Sequence, residues 1–383
     1  MKVMRDSQNF RFRNHKERSF FAEHRAALLL AACALLLTVF LAIASRCWRG
    51  FAEWYSVTVY PFLVSTIGWF FGLFPFSVLE FGGGLLILLL FGLLVRLVVR
   101  FIRGRGRRGR ILFGAFSRVL ALVLCLAAVF MANCGVNYYR TEFSAFSGLT
   151  VKKSDTARLV QLCGLLTERL NELAPQIATG ENGLSAADEN LRQDAVAAMN
   201  GLGEEYSVLR GYYPQPKPVA ASRGMSYLNI TGVYSPFTIE ANYNRDTVAY
   251  TIPVTVCHEL SHLRGFMRED EANFVGYLAC VKSGNALFAY SGEMLAYVYA
   301  SNALWAAGEQ DAYQQITAKL PEICKTDLQA DSTYWKEFET PVAEVSTQVN
   351  HSYLQANGQV DGVKSYGRFV DLLLAYYVPA ESD

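Results

Sequence analysis

Histidine is scarce in this chain, with only 5 among 383 residues. Two of them, His258 and His262, frame an HExxH segment, and the scarcity makes a chance match to that pattern improbable. The 8 cysteines form no CxxC pair, so their spacing indicates no cysteine framework. For Cys257 and Cys280 two interpretations stay open, a disulfide beside the HExxH segment or two free thiols buried on helices.

Charged residues are absent from one long apolar run and rare in two others. Residues 26–45 contain no charge over twenty residues, which is long enough to cross about 30 Å of hydrocarbon. This run is too long for an ordinary signal peptide and lacks a persuasive cleavage site. Residues 81–99 and 111–132 are two further apolar runs, and the chain is 52% hydrophobic with a mean hydropathy of +0.17. These features predict a membrane region over residues 26–132 with three spans.

Acidic residues are absent from the arginine-rich loop 100–110, between the second and third predicted spans. The positive-inside rule places this loop and the basic tail 1–25 in the cytoplasm. We expect no nucleic-acid partner, because the basic run lies between two hydrophobic spans. Residues 1–132 contain 17 Lys and Arg against 5 Asp and Glu, whereas residues 133–383 contain 18 against 29. We therefore predict a multi-pass protein in a lipid bilayer, with a cytoplasmic N-terminus and an extracytoplasmic domain at 133–383.

Residues 46–80 are unusually rich in aromatic side chains and contain Pro61 and Pro75. Aromatic residues at this density are typical of the boundary between membrane and water. We interpret the segment as an extracytoplasmic, interfacial loop. The alternative is that residues 57–74 form a re-entrant or spanning segment.

The HExxH segment has the spacing of a metal-binding helix. Residues four apart share one helical face, so His258 and His262 can direct ring nitrogens at one ion. Zinc held by two His and one carboxylate keeps a position for water and lowers its pKa from about 15.7 to about 7. Glu259 would take a proton from the attacking water and return it to the leaving amine, as in metallopeptidases. Zn²⁺ is the expected cofactor, although this ligand set does not exclude other divalent ions.

The third metal ligand is predicted from the acidic residues after the motif. Gly265 can end the first helix in a left-handed conformation, and carboxylates follow at the start of a second helical run. We prefer Glu269, whose i+4 neighbour Asn273 could hydrogen-bond a ligand, and keep Glu271 as the alternative.

This third-ligand segment resembles the ExxxD element of the gluzincin zinc peptidases, with Glu269 in the ligand's place and Asn273 in that of the usual Asp. It departs from the gluzincins in that Asn and in the short separation between His262 and Glu269. The separation is closer to that of the metzincins, whose pattern is matched through Gly265 but has Arg268 where a third His belongs.

The remaining pattern predicts a mainly α-helical (α+β) domain with a small β-sheet, similar in type to zincin metallopeptidases and attached to an α-helical membrane anchor. Helical periodicity covers residues 156–173, and Ser185 with Asp188 forms a capping box for a second helix. Residues 225–244 read as one or two strands, and residues 234–242 could present an edge to an extended peptide or pack in the core. Residues 287–305 favour a buried helix over a fourth span.

A peptidase also needs a hydrogen-bond donor for the oxyanion of its tetrahedral intermediate. His351 is the only other histidine in the predicted domain, and Tyr366 is the second candidate. We name both as possible catalytic residues.

Three features occur together in this chain: residues 258–280, which read HELSHLRGFMREDEANFVGYLAC, the three predicted spans, and the SYGRF segment near the C-terminus. In these features the chain resembles a bacterial family of uncharacterised membrane proteins, the domain of unknown function numbered 3810. The resemblance covers nearly the whole chain and implies a bacterial cell envelope and no particular substrate.

Three functions are compatible with these features. The first is a membrane-anchored zinc metallopeptidase that hydrolyses protein or peptide substrates at the extracytoplasmic face. The second is a non-catalytic, zinc-stabilised envelope sensor or scaffold. An intramembrane protease fits poorly, because the charged residues after the motif would have to enter lipid.

Overall fold

The computed structural model describes residues 2–152, 155–357, 359 and 366–379, and only the backbone of residues 2–23 and 366–367. It is mostly helical with a small three-stranded sheet, which confirms the predicted mainly helical composition. The α-helices are α1 (Lys2–Cys47), α2 (Phe51–Trp54), α3 (Tyr60–Leu63), α4 (Trp69–Gly72), α5 (Val78–Arg103), α6 (Arg108–Asn133), α7 (Phe143–Ser147), α8 (Thr156–Leu173), α9 (Leu191–Glu205), α10 (Ser222–Tyr227), α11 (Thr251–His262), α12 (Glu269–Lys282), α13 (Ala286–Ala306), α14 (Gln310–Ala318), α15 (Glu322–Lys336), α16 (Pro341–Ala356) and α17 (Tyr366–Tyr377). The strands are β1 (Lys217–Pro218), β2 (Gly232–Ser235) and β3 (Glu240–Tyr243). Short 3₁₀ helices lie at Gly135–Tyr139, Ala174–Gln176 and Ser207–Leu209.

The chain forms two compact units, each assembled from two separate stretches. The first unit comprises Met1–Arg49 and Phe81–Asn133, and the second comprises Gly50–Glu80 and Cys134–Asp383. The second unit therefore begins before two of the apolar helices and resumes after them.

The first unit contains the apolar helices. Three helices are long and apolar enough to cross a membrane, at His24–Cys47, Val78–Arg103 and Arg108–Asn133, in agreement with the three predicted spans. α1 packs against α6 through small side chains that include Ala31, Ala34 and Ala121, which lets the two backbones approach closely.

Most of the predicted interfacial loop is helical. α2, α3 and α4 are joined by two π-helical turns, Tyr55–Val59 and Val64–Gly68, and the resulting helix 51–72, here called the aromatic helix, belongs to the second unit. Five of its buried positions recur at intervals of four, namely Ala52, Ser56, Tyr60, Val64 and Gly68, and Tyr55 beside Ser56 is buried as well. An α-helix has 3.6 residues per turn, so such a stripe drifts by about 40° at each step. The wider π turns offset that drift and keep the stripe on one side.

The core of the second unit is built on α11, α12 and α13. α12 is buried from Asp270 to Cys280, and α8, α9 and α17 pack around it and α13. α8 has the predicted apolar stripe and begins at an Asp155 side chain that accepts a hydrogen bond from the Arg158 amide (2.9 Å). α13 is largely buried in this unit, as predicted.

The predicted capping box is wrong. The Ser185 amide donates to the buried Asp327 carboxylate (3.1 Å), and α9 begins only at Leu191. A side chain distant in sequence thus satisfies the backbone where a local cap was expected.

The sheet has the order β1-β3-β2, with β1 parallel and β2 antiparallel to the central β3. β3 is fully buried and β2 is an edge strand, so the predicted strand region contains both an edge and a core element. Lys217 of β1 forms a buried ion pair with Glu240 of β3 and donates to the Phe71 carbonyl (2.6 Å). Glu240 also accepts from the amides of Val78 (3.1 Å) and Leu79 (2.9 Å), the first residues of α5.

Candidate metal centre

The centre is formed where α11 meets α12. Gly265 lies in the connection with φ of +81°, the left-handed conformation predicted for it. Gly276 of α12 lies so close to α11 that a Cβ there would be 2.8 Å from the backbone nitrogen of His258. This glycine lets the two helices approach, and it thereby places Glu269 beside the two histidines.

His258, His262 and Glu269 form a group with the geometry of a metal site. One potential ligand atom from each lies within 4.8 Å of the others. His258 Nε2 is 3.3 Å from Glu269 Oε2, and the two imidazole rings are 4.9 Å apart and nearly perpendicular. The structure thus brings together both predicted histidines and the preferred third ligand.

The hydrogen bonds of the two histidines leave the same ring nitrogen available in each. Nδ1 of His258 is 2.7 Å from Oδ1 of Asn273, and Nδ1 of His262 is 2.7 Å from the Phe266 carbonyl oxygen. Each oxygen accepts a hydrogen bond from Nδ1–H, so Nε2 of each neutral imidazole presents its lone pair to the centre. Metal-binding histidines in proteins are commonly oriented in this way.

Charge in the group is distributed unevenly. Burial lowers the pKa of His258, but the Glu269 carboxylate outweighs burial and raises it to about 9. Burial together with His258 lowers the pKa of His262 to about 4. Burial raises the pKa of Glu269, but its hydrogen bond and attraction to His258 produce a net lowering. Two imidazole nitrogens and an ionised carboxylate fit zinc, which would compete with the proton on His258.

Glu259 lies one residue round the helix from His258 and is buried between α11 and β2. A Cβ at Gly232 would be 2.5 Å from its Oε1, so only glycine leaves room for it. Burial raises the pKa of Glu259 to about 8, while the backbone amide of Tyr234 is a hydrogen-bond donor that lowers it. Its Oε2 is buried and has no hydrogen-bond partner among the described residues.

Of the other predicted site residues, Glu271 and His351 are not part of this group. Glu271 accepts a hydrogen bond from the Phe143 amide (2.7 Å) and is 4.0 Å from Arg268. His351 is half-buried on α16. Tyr366 begins α17, and its side chain lies outside the described residues.

Several tyrosines surround the centre that the sequence pattern did not indicate. Tyr353 of α16 lies 3.6 Å from Cys134 Sγ and accepts a hydrogen bond from Tyr138 (3.2 Å). Burial is the main cause of the raised pKa of each of these three groups, and the charge of Glu269 adds to it. Tyr60 donates to the His262 carbonyl (2.9 Å). These residues come from three distant stretches, so no local spacing could reveal them.

The cysteines beside the centre are thiols. All 8 are free, and burial with a hydrogen bond to Cys257 raises the pKa of Cys280. The free-thiol interpretation is the one that the structure bears out.

Comparison with known proteins adds a family but no activity. The model of a family described as "Protein of unknown function (DUF3810)" matches residues 55–374. No curated protein and no solved structure matches the chain significantly.

Proposed function

Because the chain belongs to the protein family of unknown function DUF3810, whose description gives no activity, we propose a function from the site itself. The protein is a membrane-anchored zinc metallopeptidase of the bacterial envelope, which hydrolyses peptide bonds of proteins or peptides at the extracytoplasmic face. The observation that supports it most is the His258, His262 and Glu269 group with both Nδ1 atoms engaged and Glu259 alongside. A mainly helical, zincin-like domain would carry this site.

Each residue has a role in this proposal. His258, His262 and Glu269 hold the ion, and Asn273 and the Phe266 carbonyl orient the imidazoles. When bound, zinc supplies Lewis-acid catalysis and lowers the pKa of water. Glu259 accepts the proton of the attacking water and returns it to the leaving amine, and burial makes its carboxylate more basic than an exposed one.

The edge strand β2 is the proposed binding site for an extended peptide substrate. It packs against α11, and its Tyr234 amide is directed at Glu259. An extended peptide added to this edge would align its backbone along α11, the helix that carries His258 and His262 and is here called the metal helix.

We propose Tyr353 as the oxyanion donor in place of His351 and Tyr366. Its side chain is part-exposed, and its hydroxyl group lies beside Cys134 near Glu269. His351 precedes it by two residues on α16, which places it about 200° around the helix and on another face.

One observation favours the alternative of a non-catalytic, zinc-stabilised sensor or scaffold. Glu259 is 5% exposed and is enclosed by Gly232 and Tyr234, as in a residue that only supports packing. In that case zinc would join α11 to α12, and its removal would unfold the unit.

The test measures bound zinc and peptide cleavage for the full chain, its Glu259→Gln variant and its Tyr353→Phe variant. The full chain is needed because residues 50–80 belong to the unit that holds the site. We expect one zinc in all three proteins and loss of cleavage by at least about 100-fold in Glu259→Gln. Tyr353→Phe should lower kcat by about 100-fold with little change in KM. Zinc in every protein with equal cleavage by parent and Glu259→Gln would refute the role of Glu259 and the assignment of cleavage to this site, and zinc without cleavage would favour the scaffold.

A further pair of variants tests the ligand choice. Glu269→Gln should lose zinc, whereas Glu271→Gln should retain it, because the Glu271 carboxylate is engaged by the Phe143 amide. The opposite result would make Glu271 the ligand.

A further inference from the structure

The aromatic helix has two contrasting faces. One is buried in the second unit, and the other is exposed and largely apolar, with Thr58, Ser65 and Thr66 as its uncharged polar residues. The exposed side chains include Trp54 (53%), Val57, Phe62 (65%), Trp69 (51%) and Phe70, and Leu73 directly after the helix is exposed as well. An exposed apolar strip along a whole helix is unusual on a surface that faces water and marks an interaction site.

The chain's connectivity indicates what covers this face. Only residues 48–50 separate the aromatic helix from the candidate span that ends at Cys47, and only residues 73–77 separate it from Val78, where another begins. Both ends are therefore held close to a bilayer. Trp and Phe prefer the headgroup boundary, which suits a helix lying in the membrane plane.

The charge of the helix agrees with a lipid partner. Glu53 is the only charged residue between 51 and 72, and it pairs with Arg140 of the second unit (3.1 Å). No described charge on the exposed face would have to enter the headgroup layer unpaired.

The buried face of the same helix supports the metal centre. The Tyr60 hydroxyl donates to the His262 carbonyl (2.9 Å) and is 2.8 Å from the Tyr234 hydroxyl. One helix, about 10–12 Å thick, thus lies between the metal helix and the exposed aromatic face.

We propose that the exposed face of the aromatic helix docks on the lipid interface, and that the site acts on peptide bonds close to that surface. The substrate class, which rests on the proposed peptidase function, is the membrane-proximal segment of a membrane-anchored protein. A strand rises about 3.3 Å per residue, so one helix thickness corresponds to roughly three or four residues of extended chain between lipid and the metal helix.

Docking is tested by tryptophan fluorescence of the full chain in phospholipid vesicles that carry bromine either near the headgroups or near the bilayer centre. Three variants each retain one tryptophan, Trp54, Trp69 or Trp305, with the others replaced by Phe. Trp305 is the matched control, because it is 47% exposed but lies on α13 beside Tyr313. We expect shallow bromine to quench Trp54 and Trp69 at least twofold and to leave Trp305 unchanged. Equal quenching of all three would overturn the docking, and stronger quenching by deep bromine would show a spanning segment instead.

The substrate class is tested with one quenched-fluorescent casein peptide, with and without a palmitoyl chain, on phosphatidylglycerol-containing vesicles. The anchored peptide should be cleaved at least tenfold faster at equal bulk concentration. Trp54→Lys with Trp69→Lys should reduce this advantage, and Trp305→Lys should not. Equal rates would overturn the substrate class alone. If neither peptide is cleaved, both the substrate class and the peptidase function are overturned. The quenching experiment decides the docking independently of that result.

Discussion

Gly276 controls how closely α11 and α12, the two helices of the candidate metal centre, approach each other, and Gly276→Ala tests whether that distance sets zinc affinity. An added Cβ would lie 2.8 Å from the backbone nitrogen and 3.1 Å from the Cα of His258. Carbon atoms normally pack at about 3.5–4.0 Å, so α11 and α12 must separate by roughly 0.5 Å. The backbone of His258 cannot rotate away as a flexible side chain could.

Two effects follow from that separation. Overpacking at a buried contact costs about 1–3 kcal/mol of unfolding free energy. Zinc sites hold ligand distances within about 0.2 Å, so a shift of roughly 0.5 Å between His258 and Glu269 should weaken zinc binding about tenfold.

The assay combines thermal unfolding in detergent with zinc titration against a competing chelator. The matched control is Gly201→Ala on α9, where an added Cβ meets nothing within 4 Å. That substitution should leave zinc affinity unchanged and increase stability by about 0.5–1 kcal/mol, because alanine favours helix more than glycine. If Gly276→Ala binds zinc as tightly as the parent and unfolds at the same temperature, the close approach does not control the site.

Three further predictions concern other groups of the second unit. Asn273→Ala removes the acceptor for His258 Nδ1 and should weaken zinc binding about 10–100-fold in the chelator titration, whereas Asn273→Asp should retain it. Lys217→Met leaves buried Glu240 without its cation and should cost about 3–5 kcal/mol in thermal unfolding, whereas Lys325→Met, at a surface pair 3.8 Å long, should cost under about 1 kcal/mol. Burial raises the pKa of Glu293 to about 7 despite Arg169, so the folded state holds its proton more tightly and stability falls as pH rises from about 4.5 through 7. Glu293→Gln should remove up to about 3 kcal/mol of this pH-dependent loss of stability. If the free energies of unfolding of parent and variant change equally with pH, Glu293 is not the group responsible.

The sequence was most informative where function depends on local spacing. The HExxH helix, the turn at Gly265 and the apolar runs are patterns within twenty or so residues, and helical geometry converts them directly into positions. Glu269 and Asn273 were found for the same reason, because i and i+4 residues share a face.

Long-range contacts set the limit of prediction. Nothing near Tyr353 or Tyr60 in sequence relates them to His262 or Glu269, since they come from other helices that fold against the site. The capping box failed because Asp327, distant in sequence, binds the Ser185 amide. The helical form of residues 51–72 was missed because most of its buried residues recur every four positions, a period that neither a regular α-helix nor a strand produces.

The division of the second unit into two stretches has a consequence for biosynthesis. Residues 50–80 leave the ribosome before 81–133, and only then follow the residues that contain the HExxH segment. At about 5–20 residues per second, translation of this interruption takes roughly 3–10 s. During that interval the residues against which the aromatic helix packs in the folded unit have not yet been synthesised. The candidate metal centre therefore cannot be completed on the nascent chain until all three apolar helices have been synthesised.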